Sequence, residues 1–215
     1  MRIPFPPCAG QVPAPRCHQR VKIGFLGGSF DPVHFGHLLA AQDALEQYGL
    51  DRLVLVPAAQ APLKPQDVRS GPAHRLAMLK AATEWDRRFE ISDYELKKGG
   101  ISYTIESARH FRSLYPADQL FWIIGGDQLP LLERWKDIDE LARLFEFIFL
   151  ERPGYPVKAR PAVAGLKLHR CDWHLLGVSS TELRERVRRN LSLDYFVPHK
   201  TILYIKENDL YRENP

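Results

Sequence analysis

Cysteine is scarce in this sequence: Cys8, Cys17 and Cys171 are the only three thiols among 215 residues. No CxxC pair and no zinc-type Cys/His spacing accompanies them, which excludes a zinc-ribbon or a disulfide-framework protein. A sparse, odd number of thiols is typical of proteins kept in a reducing compartment. We therefore expect a cytoplasmic protein whose cysteines carry no special chemistry.

Long hydrophobic runs are also absent. The longest, such as "LFWIIGG" at 120–126, have the length of a buried strand, well short of the about 20 residues that cross a bilayer. We therefore expect no membrane partner. With 45% hydrophobic residues over 215 positions, the chain is long enough to bury the core of one α/β domain.

An excess of charge is missing from most of the chain, although its net charge is +4. The first twenty residues hold three arginines and no acid, which leaves 27 Lys and Arg against 26 Asp and Glu in the remainder. A nucleic-acid-binding protein should keep its basic excess on the folded part. We therefore expect no nucleic-acid partner.

Proline is concentrated at the N-terminus, where "MRIPFPPCAGQVPAPRCHQR" contains five prolines and no continuous apolar segment of the signal-peptide kind. This composition predicts a flexible, Pro-rich extension over residues 1–20, followed by one domain over 21–215. A start assigned too early, with the true beginning near Val21, is an alternative that the sequence leaves open.

After residue 20, short apolar runs alternate with longer amphipathic ones. The apolar runs that predict strands lie at 21–26, 52–58, 89–96, 119–125, 146–152 and 166–172. Helical spacing occupies 37–48, 73–85, 104–115, 138–145 and 180–190, and a last helix is expected within 198–211. This alternation predicts an α/β fold, a Rossmann-like doubly wound parallel sheet with helices on both faces. Ligands bind such sheets beyond the carboxyl ends of the strands.

The stretch "GGSFDPVHFGH" at 27–37 follows the first predicted strand and admits three explanations: a metal site, a phosphate site or an ordinary strand-to-helix turn. Two histidines three residues apart, His34 and His37, lack the further ligands that zinc needs. Glycines let backbone N–H groups approach an anion, and the following helix presents its positive end to phosphate. Both imidazoles would lie on one helix face. We favour the phosphate site.

A second polar stretch, "GVSSTELRERV" at 177–187, begins another predicted helix. Ser179, Ser180 and Thr181 are placed to cap it, and Arg184 follows one turn later. Such residues start many helices without any ligand. They also bring hydroxyls, free N–H groups and a guanidinium together where a triphosphate could bind.

These two stretches resemble the two signatures of the nucleotidyltransferase superfamily that carries an HxGH motif. That superfamily includes cytidylyltransferases, pantetheine-phosphate adenylyltransferase and the nicotinate-nucleotide adenylyltransferases. The resemblance implies that His34 and His37 are catalytic, binding ATP phosphates and stabilising charge at the α-phosphate. The ATP-binding residues that it implies are Gly27, Gly28, Ser29, Phe30, His34, His37, Gly125, Asp127, Ser179, Ser180, Thr181 and Arg184.

Four stretches between the signatures resemble the bacterial nicotinate-nucleotide adenylyltransferases in particular: "VPAAQAPLK", "GGISYTIES", "IIGGDQLPLLERW" and "FLERPGY". The resemblance implies mononucleotide binding by Lys64, Ser102, Tyr103, Thr104, Trp135 and Arg152. The Ser-Tyr-Thr turn would bind the nicotinate carboxylate, partly through backbone N–H groups, and the tryptophan would stack on the pyridine ring. Simpler explanations are a solvated loop lysine, a serine or threonine helix cap, and a tryptophan packed in the core.

The resemblance implies transfer of the adenylyl group of ATP to nicotinate mononucleotide, with Mg²⁺ bound through ATP and no protein metal ligand. Alternatives are a different phosphate acceptor, such as nicotinamide mononucleotide or pantetheine phosphate, and a non-catalytic nucleotide-binding protein of the same fold. ATP and nicotinate mononucleotide are the expected partners. A homo-oligomer is compatible with the sequence, which does not indicate the oligomeric state.

Overall fold

Six parallel strands form the centre of the molecule, in the order β3-β2-β1-β4-β5-β6. The computed structural model describes residues 20–62, 70–151 and 161–212. The strands are β1 Lys22–Gly28, β2 Arg52–Pro57, β3 Phe89–Ile91, β4 Gln119–Gly125, β5 Glu146–Leu150 and β6 Leu168–Cys171. Their central members are buried on both faces, as expected for parallel strands covered by helices.

Seven α-helices lie in the described ranges: α1 Phe35–Tyr48, α2 Pro72–Thr83, α3 Tyr94–Lys98, α4 Thr104–Leu114, α5 Ile138–Leu144, α6 Ser180–Arg188 and α7 His199–Glu207. A 3-10 helix, Gly126–Arg134, follows β4 directly. Helix α1 ends at Tyr48, where the predicted helical spacing ends, and Gly49 follows with a φ of 55°, in the left-handed region that glycine adopts at helix ends. None of the helices in these ranges is long and apolar enough to cross a membrane.

One predicted element is wrong in part. The strand expected over 89–96 stops at Ile91, and the short helix α3 occupies Tyr94–Lys98. The polar pair Ser92 and Asp93 separates the two elements, with the Tyr94 N–H donating to Ser92 Oγ at 3.4 Å. Strand β3 lies at the edge of the sheet and has only three residues. Edge strands are often this short, so the apolar run does not have to continue beyond Ile91.

Two hydrophobic clusters cover the two faces of the sheet. One contains side chains of α1, α2, α6 and α7, and the other contains side chains of α4, α5 and the 3-10 helix. Neighbouring residues of β1 alternate between them, since Phe25 belongs to the second cluster and Leu26 to the first. The sheet is therefore doubly wound, and the predicted fold class is confirmed.

The strand order places a crevice at a defined position. The chain runs outwards from β1 through β2 to β3, then returns to add β4, β5 and β6 on the other side. The order reverses between β1 and β4, which pair in parallel over Lys22–Leu26 and Gln119–Ile123. Open α/β sheets bind ligands at the carboxyl ends of strands where the order reverses. The Gly-rich turn after β1 and the Asp127 turn after β4 lie at this position.

Candidate active site

A cavity of about 540 Å³ opens at the carboxyl ends of the central strands. Sixteen of the eighteen residues that the sequence indicated line it, from every stretch whose site residues the structure describes. They are Gly27, Gly28, Ser29, Phe30, His34, His37, Ser102, Tyr103, Thr104, Gly125, Asp127, Trp135, Ser179, Ser180, Thr181 and Arg184. Stretches that lie far apart in the chain therefore meet at one place.

Two of the indicated residues, Lys64 and Arg152, lie outside the described residues, as do residues 1–19. The roles expected for this lysine and this arginine stay predictions. The division into an extension over 1–20 and a domain over 21–215 also stays a prediction.

The two histidines are adjacent in space. His34 is the N-cap of α1 and His37 lies in its first turn, so helix geometry brings both side chains to the same end. Their rings stack with centroids 3.7 Å apart, and the His34 backbone N–H donates to His37 Nδ1 at 3.3 Å. This pairing fixes the orientation of both imidazoles at the cavity wall.

Gly36 makes room for this arrangement. A Cβ atom at this position would lie 3.0 Å from His34 Nδ1 and 3.2 Å from Val178 Cγ1. The missing side chain therefore allows the His34 ring and the segment before α6 to pack against the start of α1. Close packing therefore explains why glycine occupies position 36 of the His-Phe-Gly-His stretch.

The second polar stretch is bonded directly to the first. Ser180 Oγ donates to the Pro32 carbonyl at 2.9 Å, and Arg184 Nη1 donates to the Asp31 carbonyl at 2.8 Å. Arg184 Nη2 also donates to Thr181 Oγ1 at 3.1 Å. The buried guanidinium thus joins the start of α6 to the β1–α1 loop. Ser179 caps α6, accepting from the Glu182 N–H, so the capping explanation is confirmed, while the phosphate-binding role of this stretch stays a prediction.

Backbone support for the Gly-rich turn comes from a residue that the sequence did not indicate. Arg75 of α2 is fully buried, and its Nη1 donates to the Ser29 carbonyl at 2.9 Å and to the Ala58 carbonyl at 2.6 Å. Phe30 has a φ of 49° and turns its buried ring over Gly28. The ring of Phe30 therefore packs inside the protein, and the turn presents its backbone to the cavity.

A buried carboxylate holds the same loop from the other side. Asp31 accepts hydrogen bonds from the Ser70 N–H at 3.1 Å and from the Tyr211 hydroxyl at 2.6 Å. Burial raises the pKa of Tyr211 far above its ordinary value, so this phenol keeps its proton and donates. The chain near its C-terminus is thereby tied to the loop that carries the histidines.

The Ser-Tyr-Thr turn and Trp135 form another part of the cavity wall, where Tyr103 and Trp135 pack against the second hydrophobic cluster. The N-cap of α4 is Tyr103, whose side chain makes no capping hydrogen bond, so the simpler explanation of a serine or threonine cap is wrong here. Ser102 Oγ instead accepts from the Ala59 N–H at 2.9 Å, and the backbone N–H of Ser102 donates to the Gln60 carbonyl. The Glu106 N–H donates to the Tyr103 carbonyl at 3.0 Å, so helix geometry leaves the N–H groups of Thr104 and Ile105 without a partner inside α4.

Trp135 follows the 3-10 helix and is partly buried. Its ring packs edge-on against Phe147, with centroids 6.4 Å apart, and also lines the cavity. Trp135 is therefore packed against the core and also faces the cavity, while its stacking on a pyridine ring stays a prediction. Asp127 turns back towards Gly125, where a Cβ atom would meet its Oδ1 closely, and accepts from Gln128 Nε2 at 3.0 Å.

Comparison with known proteins decides the family. A family model described as cytidylyltransferase-like matches residues 25–186. A protein of Opitutus terrae named "probable nicotinate-nucleotide adenylyltransferase" is 71% identical over 192 residues, which cover 89% of this chain and 98% of that protein. The nicotinate-nucleotide adenylyltransferase of Bacillus subtilis is 39% identical over 190 residues, covering 88% and 98%. The chain belongs to the nicotinate-nucleotide adenylyltransferase family.

Solved structures share the fold of this family member. Plasmodium falciparum nicotinic acid mononucleotide adenylyltransferase complexed with NaAD matches with a TM-score of 0.71 at 19% identity. The same protein complexed with APC matches with a TM-score of 0.68 at 18% identity. Each comparison covers 89% of this chain and 98% of the other. At such low identity the likeness establishes the fold alone.

The cavity is also lined by residues that sequence reasoning missed, among them Glu95, Lys136 and Trp173. Lys136 Nζ lies 4.4 Å from the centre of the Tyr103 ring and pairs with Glu106 at 3.3 Å. Lys98 pairs with the same carboxylate, and the two lysines hold the pKa of Glu106 below its ordinary value, Lys98 being the larger cause. Lys136 could have been found from its position next to Trp135 in the sequence. Glu95 was missed because it lies in the segment 89–96, which was predicted to be a strand.

No cluster of three or more His, Cys, Asp or Glu that could hold a metal occurs within residues 20–62, 70–151 and 161–212. The ionisable groups at the histidine end of the cavity are imidazoles and a guanidinium, whose N–H donors suit phosphate oxygens. This donor set fits a triphosphate that brings its own magnesium ion.

Proposed function

We propose that the protein transfers the adenylyl group of ATP to nicotinate mononucleotide, giving nicotinate adenine dinucleotide and pyrophosphate. The observation that supports this most strongly is that one cavity is lined both by the two polar signatures, which suit phosphate, and by the aromatic Trp135. The names of the relatives at 71% and 39% identity describe the same activity. A member of the same fold has been solved with NaAD bound.

The reaction joins the two ends of the cavity. A phosphate oxygen of the mononucleotide attacks the α-phosphorus of ATP, the new P–O bond forms, and the bond to the β-phosphate oxygen breaks to release pyrophosphate. The second pKa of a phosphate monoester is about 6, so the nucleophile is already largely anionic at neutral pH. The protein therefore needs no general base, and catalysis rests on alignment and on stabilisation of charge.

The roles of the residues follow from their positions. His34 and His37 would donate to the α-phosphoryl oxygens, where negative charge is redistributed as the bond changes. The start of α6, with Ser180, Thr181 and Arg184, would bind the triphosphate. Since the arginine already bonds the Asp31 carbonyl, it would also hold the histidine loop in register with the phosphates. Asp127 would accept hydrogen bonds from a ribose.

Magnesium belongs to the substrate in this proposal. Bound to the oxygens of ATP, Mg²⁺ would neutralise part of the triphosphate charge, since it is seldom held by protein ligands alone. At the acceptor end, Trp135 would stack on the pyridine ring, and the N-terminus of α4 would bind the carboxylate through backbone N–H groups. Lys64 and Arg152 are further candidates for the mononucleotide.

A panel of acceptors tests this function. The full chain is mixed with ATP, Mg²⁺ and one acceptor at a time: nicotinate mononucleotide, nicotinamide mononucleotide or pantetheine phosphate, with release of pyrophosphate as the readout. We expect the fastest release with nicotinate mononucleotide and a dinucleotide product of matching mass. Release that is fastest with pantetheine phosphate, or no release with any acceptor, would contradict the proposal.

A further inference from the structure

Glu95 is a carboxylate in an unusual place. It belongs to α3, is only 4% exposed, and lines the cavity beside the Ser-Tyr-Thr turn. Acidic side chains are rarely buried to this extent unless polar partners surround them. Glu95 has no part in the adenylyl transfer described above, so its burial needs a different explanation.

Two serine hydroxyls bond this carboxylate. Ser107 Oγ of α4 donates to Glu95 Oε1 at 2.5 Å, and the Ser102 hydroxyl forms the second bond. Burial nevertheless raises the pKa of Glu95 above its ordinary value of 4.5, against the opposing effect of both serines. Burial therefore disfavours the ionised form of this carboxyl group, although two hydroxyls bond it.

Ser102 connects Glu95 to the backbone of the acceptor site. Its hydroxyl accepts from the Ala59 N–H at 2.9 Å, and its N–H donates to the Gln60 carbonyl at 2.9 Å. Gln60 and Ile101 form an isolated parallel bridge at the same point. One side chain thus links α3, the loop after β2 and the turn that begins α4.

We propose that Glu95 is a positioning residue of the acceptor site: through Ser102 it fixes the turn whose N–H groups bind the carboxylate of the mononucleotide. The proposal rests on the proposed function, because it concerns the same acceptor. Glu95 itself does not contact the reacting atoms. It holds the donors at the start of α4 in the geometry that favours a carboxylate over a carboxamide.

The variant Glu95→Leu tests positioning because it keeps much of the side-chain volume and removes the acceptor oxygens. We expect KM for nicotinate mononucleotide to rise about tenfold, the size of one lost hydrogen bond to a charged group. KM for ATP and kcat should change little. The preference for nicotinate over nicotinamide mononucleotide should fall by a similar factor, since only the carboxylate uses these donors.

Loss of the Glu95 charge should change KM for the mononucleotide in the opposite direction from loss of positioning, so the direction of the change distinguishes the two effects. Removing a negative charge beside the acceptor site would by itself strengthen binding of a carboxylate. Weaker binding in Glu95→Leu would therefore come from lost positioning. Glu95→Gln keeps one acceptor oxygen, so it should recover part of the affinity for nicotinate mononucleotide.

Two more variants keep the test sharp. Ser107→Ala removes one partner of Glu95 from a residue outside the cavity, and it should raise KM for the mononucleotide in the same direction by a smaller factor. Glu90→Gln neutralises a half-exposed acid that pairs with Arg52 and does not line the cavity, and it should behave as wild type. If Glu95→Leu does not fold, Glu95→Gln and Ser107→Ala carry the comparison.

The outcomes separate the two proposals. A wild-type enzyme that uses neither mononucleotide would overturn the proposed function. An active wild type, together with Glu95 variants whose KM for the mononucleotide is unchanged, would overturn the role of Glu95. So would a parallel rise of KM for ATP, because that result indicates a general loss of structure.

Discussion

The arrangement of the histidine pair depends on a single glycine. His34 and His37 stack because Gly36 between them has no side chain, and the His34 N–H completes the contact through His37 Nδ1. The imidazole N–H donors thus reach the cavity from one rigid helix start. We infer that their orientation is set before ATP binds, which reduces the cost of aligning them in the transition state.

Replacing either histidine should remove catalysis and leave the fold. For His34→Ala and His37→Ala we expect kcat to fall by about 10²–10³, the usual effect of losing one charge-stabilising donor. Initial rates of pyrophosphate release, together with circular dichroism of each variant, provide the measurement. His199→Ala, an exposed histidine at the start of α7, is the control. Turnover near wild type in both variants would remove these residues from the mechanism.

Glu95 should also leave a signature in the pH dependence of stability. Burial raises its pKa above 4.5, so the folded state holds this proton more tightly than the unfolded state does. Its contribution to stability is complete below pH 4.5 and is lost as the pH rises through the raised pKa. The free energy of unfolding of wild type, relative to Glu95→Gln, should therefore decrease over that window in urea titrations. A difference that grows with pH would contradict the assignment.

At the scale of elements, the starts of α1 and α6 form the phosphate end of the cavity together. The sequence predicted both starts, because each has a motif immediately before a helical pattern. It did not predict their direct contact, since the bonds from Ser180 and Arg184 to the β1–α1 loop join residues about 150 positions apart. Local patterns indicate which elements form, whereas contacts of this separation depend on the sheet order.

The 3-10 helix and α3 were missed for a related reason. The segment Gly126–Arg134 contains Pro130 and forms a 3-10 helix, whose period of three residues differs from that of an α-helix, and α3 has only five residues. A proline inside the first segment argues against a helix, and the second is too short for a helical period to stand out. Both nevertheless support the acceptor end, since Trp135 follows the first and Glu95 lies in the second.

Gly36 offers a test of how closely α1 and the segment before α6 must pack. In Gly36→Ala the new methyl group would lie 3.0 Å from His34 Nδ1 and 3.2 Å from Val178 Cγ1, so one of them must move. We expect kcat to fall by about tenfold to a hundredfold with little change in melting temperature, because alanine favours the helix. Gly177→Ala, where a methyl group meets nothing within 4 Å, is the matched control. Equal rates in both variants would show that the contact is unimportant.

At the scale of the whole molecule, the sequence predicted the sheet class and the clustering of the motifs. Alternating apolar and amphipathic runs require a parallel sheet, and motifs that follow strands must then gather at one edge. What could not be predicted is the set of buried polar residues behind the site, such as Arg75 and Asp31. Their side chains act on backbone carbonyls and hydroxyls far away in the chain, and no local pattern marks them.

The N-terminal extension is expected to be dispensable. Strand β1 begins at Lys22, and Val21 is already anchored, its N–H donating to Asp118 Oδ1 at 3.2 Å. Removal of residues 1–20 should therefore change kcat/KM by less than about twofold and leave the melting temperature nearly unaltered. Steady-state rates and thermal melts of the full and shortened chains make the comparison. A large loss of either would show that the extension contributes to the site or to the fold.

Trp135 separates affinity from selectivity at the acceptor end. Stacking is available to both pyridine rings, so Trp135→Ala should weaken nicotinate and nicotinamide mononucleotides alike, by roughly 1–3 kcal/mol if it resembles stacking of bases on aromatic side chains. The ratio of their kcat/KM values should stay as in wild type. A ratio that collapses in this variant would move selectivity from the Ser-Tyr-Thr turn to the tryptophan.

The most direct test is the ratio of kcat/KM for nicotinate over nicotinamide mononucleotide in the wild-type enzyme, with ATP and Mg²⁺ saturating. A carboxylate accepts hydrogen bonds at both oxygens, whereas a carboxamide turns an NH₂ towards a donor at the start of α4. One unmade bond in a partly dry site costs on the order of 1–3 kcal/mol, so we expect a ratio of at least about ten. A ratio near one, or one favouring the carboxamide, would contradict a site built for a nicotinate carboxylate.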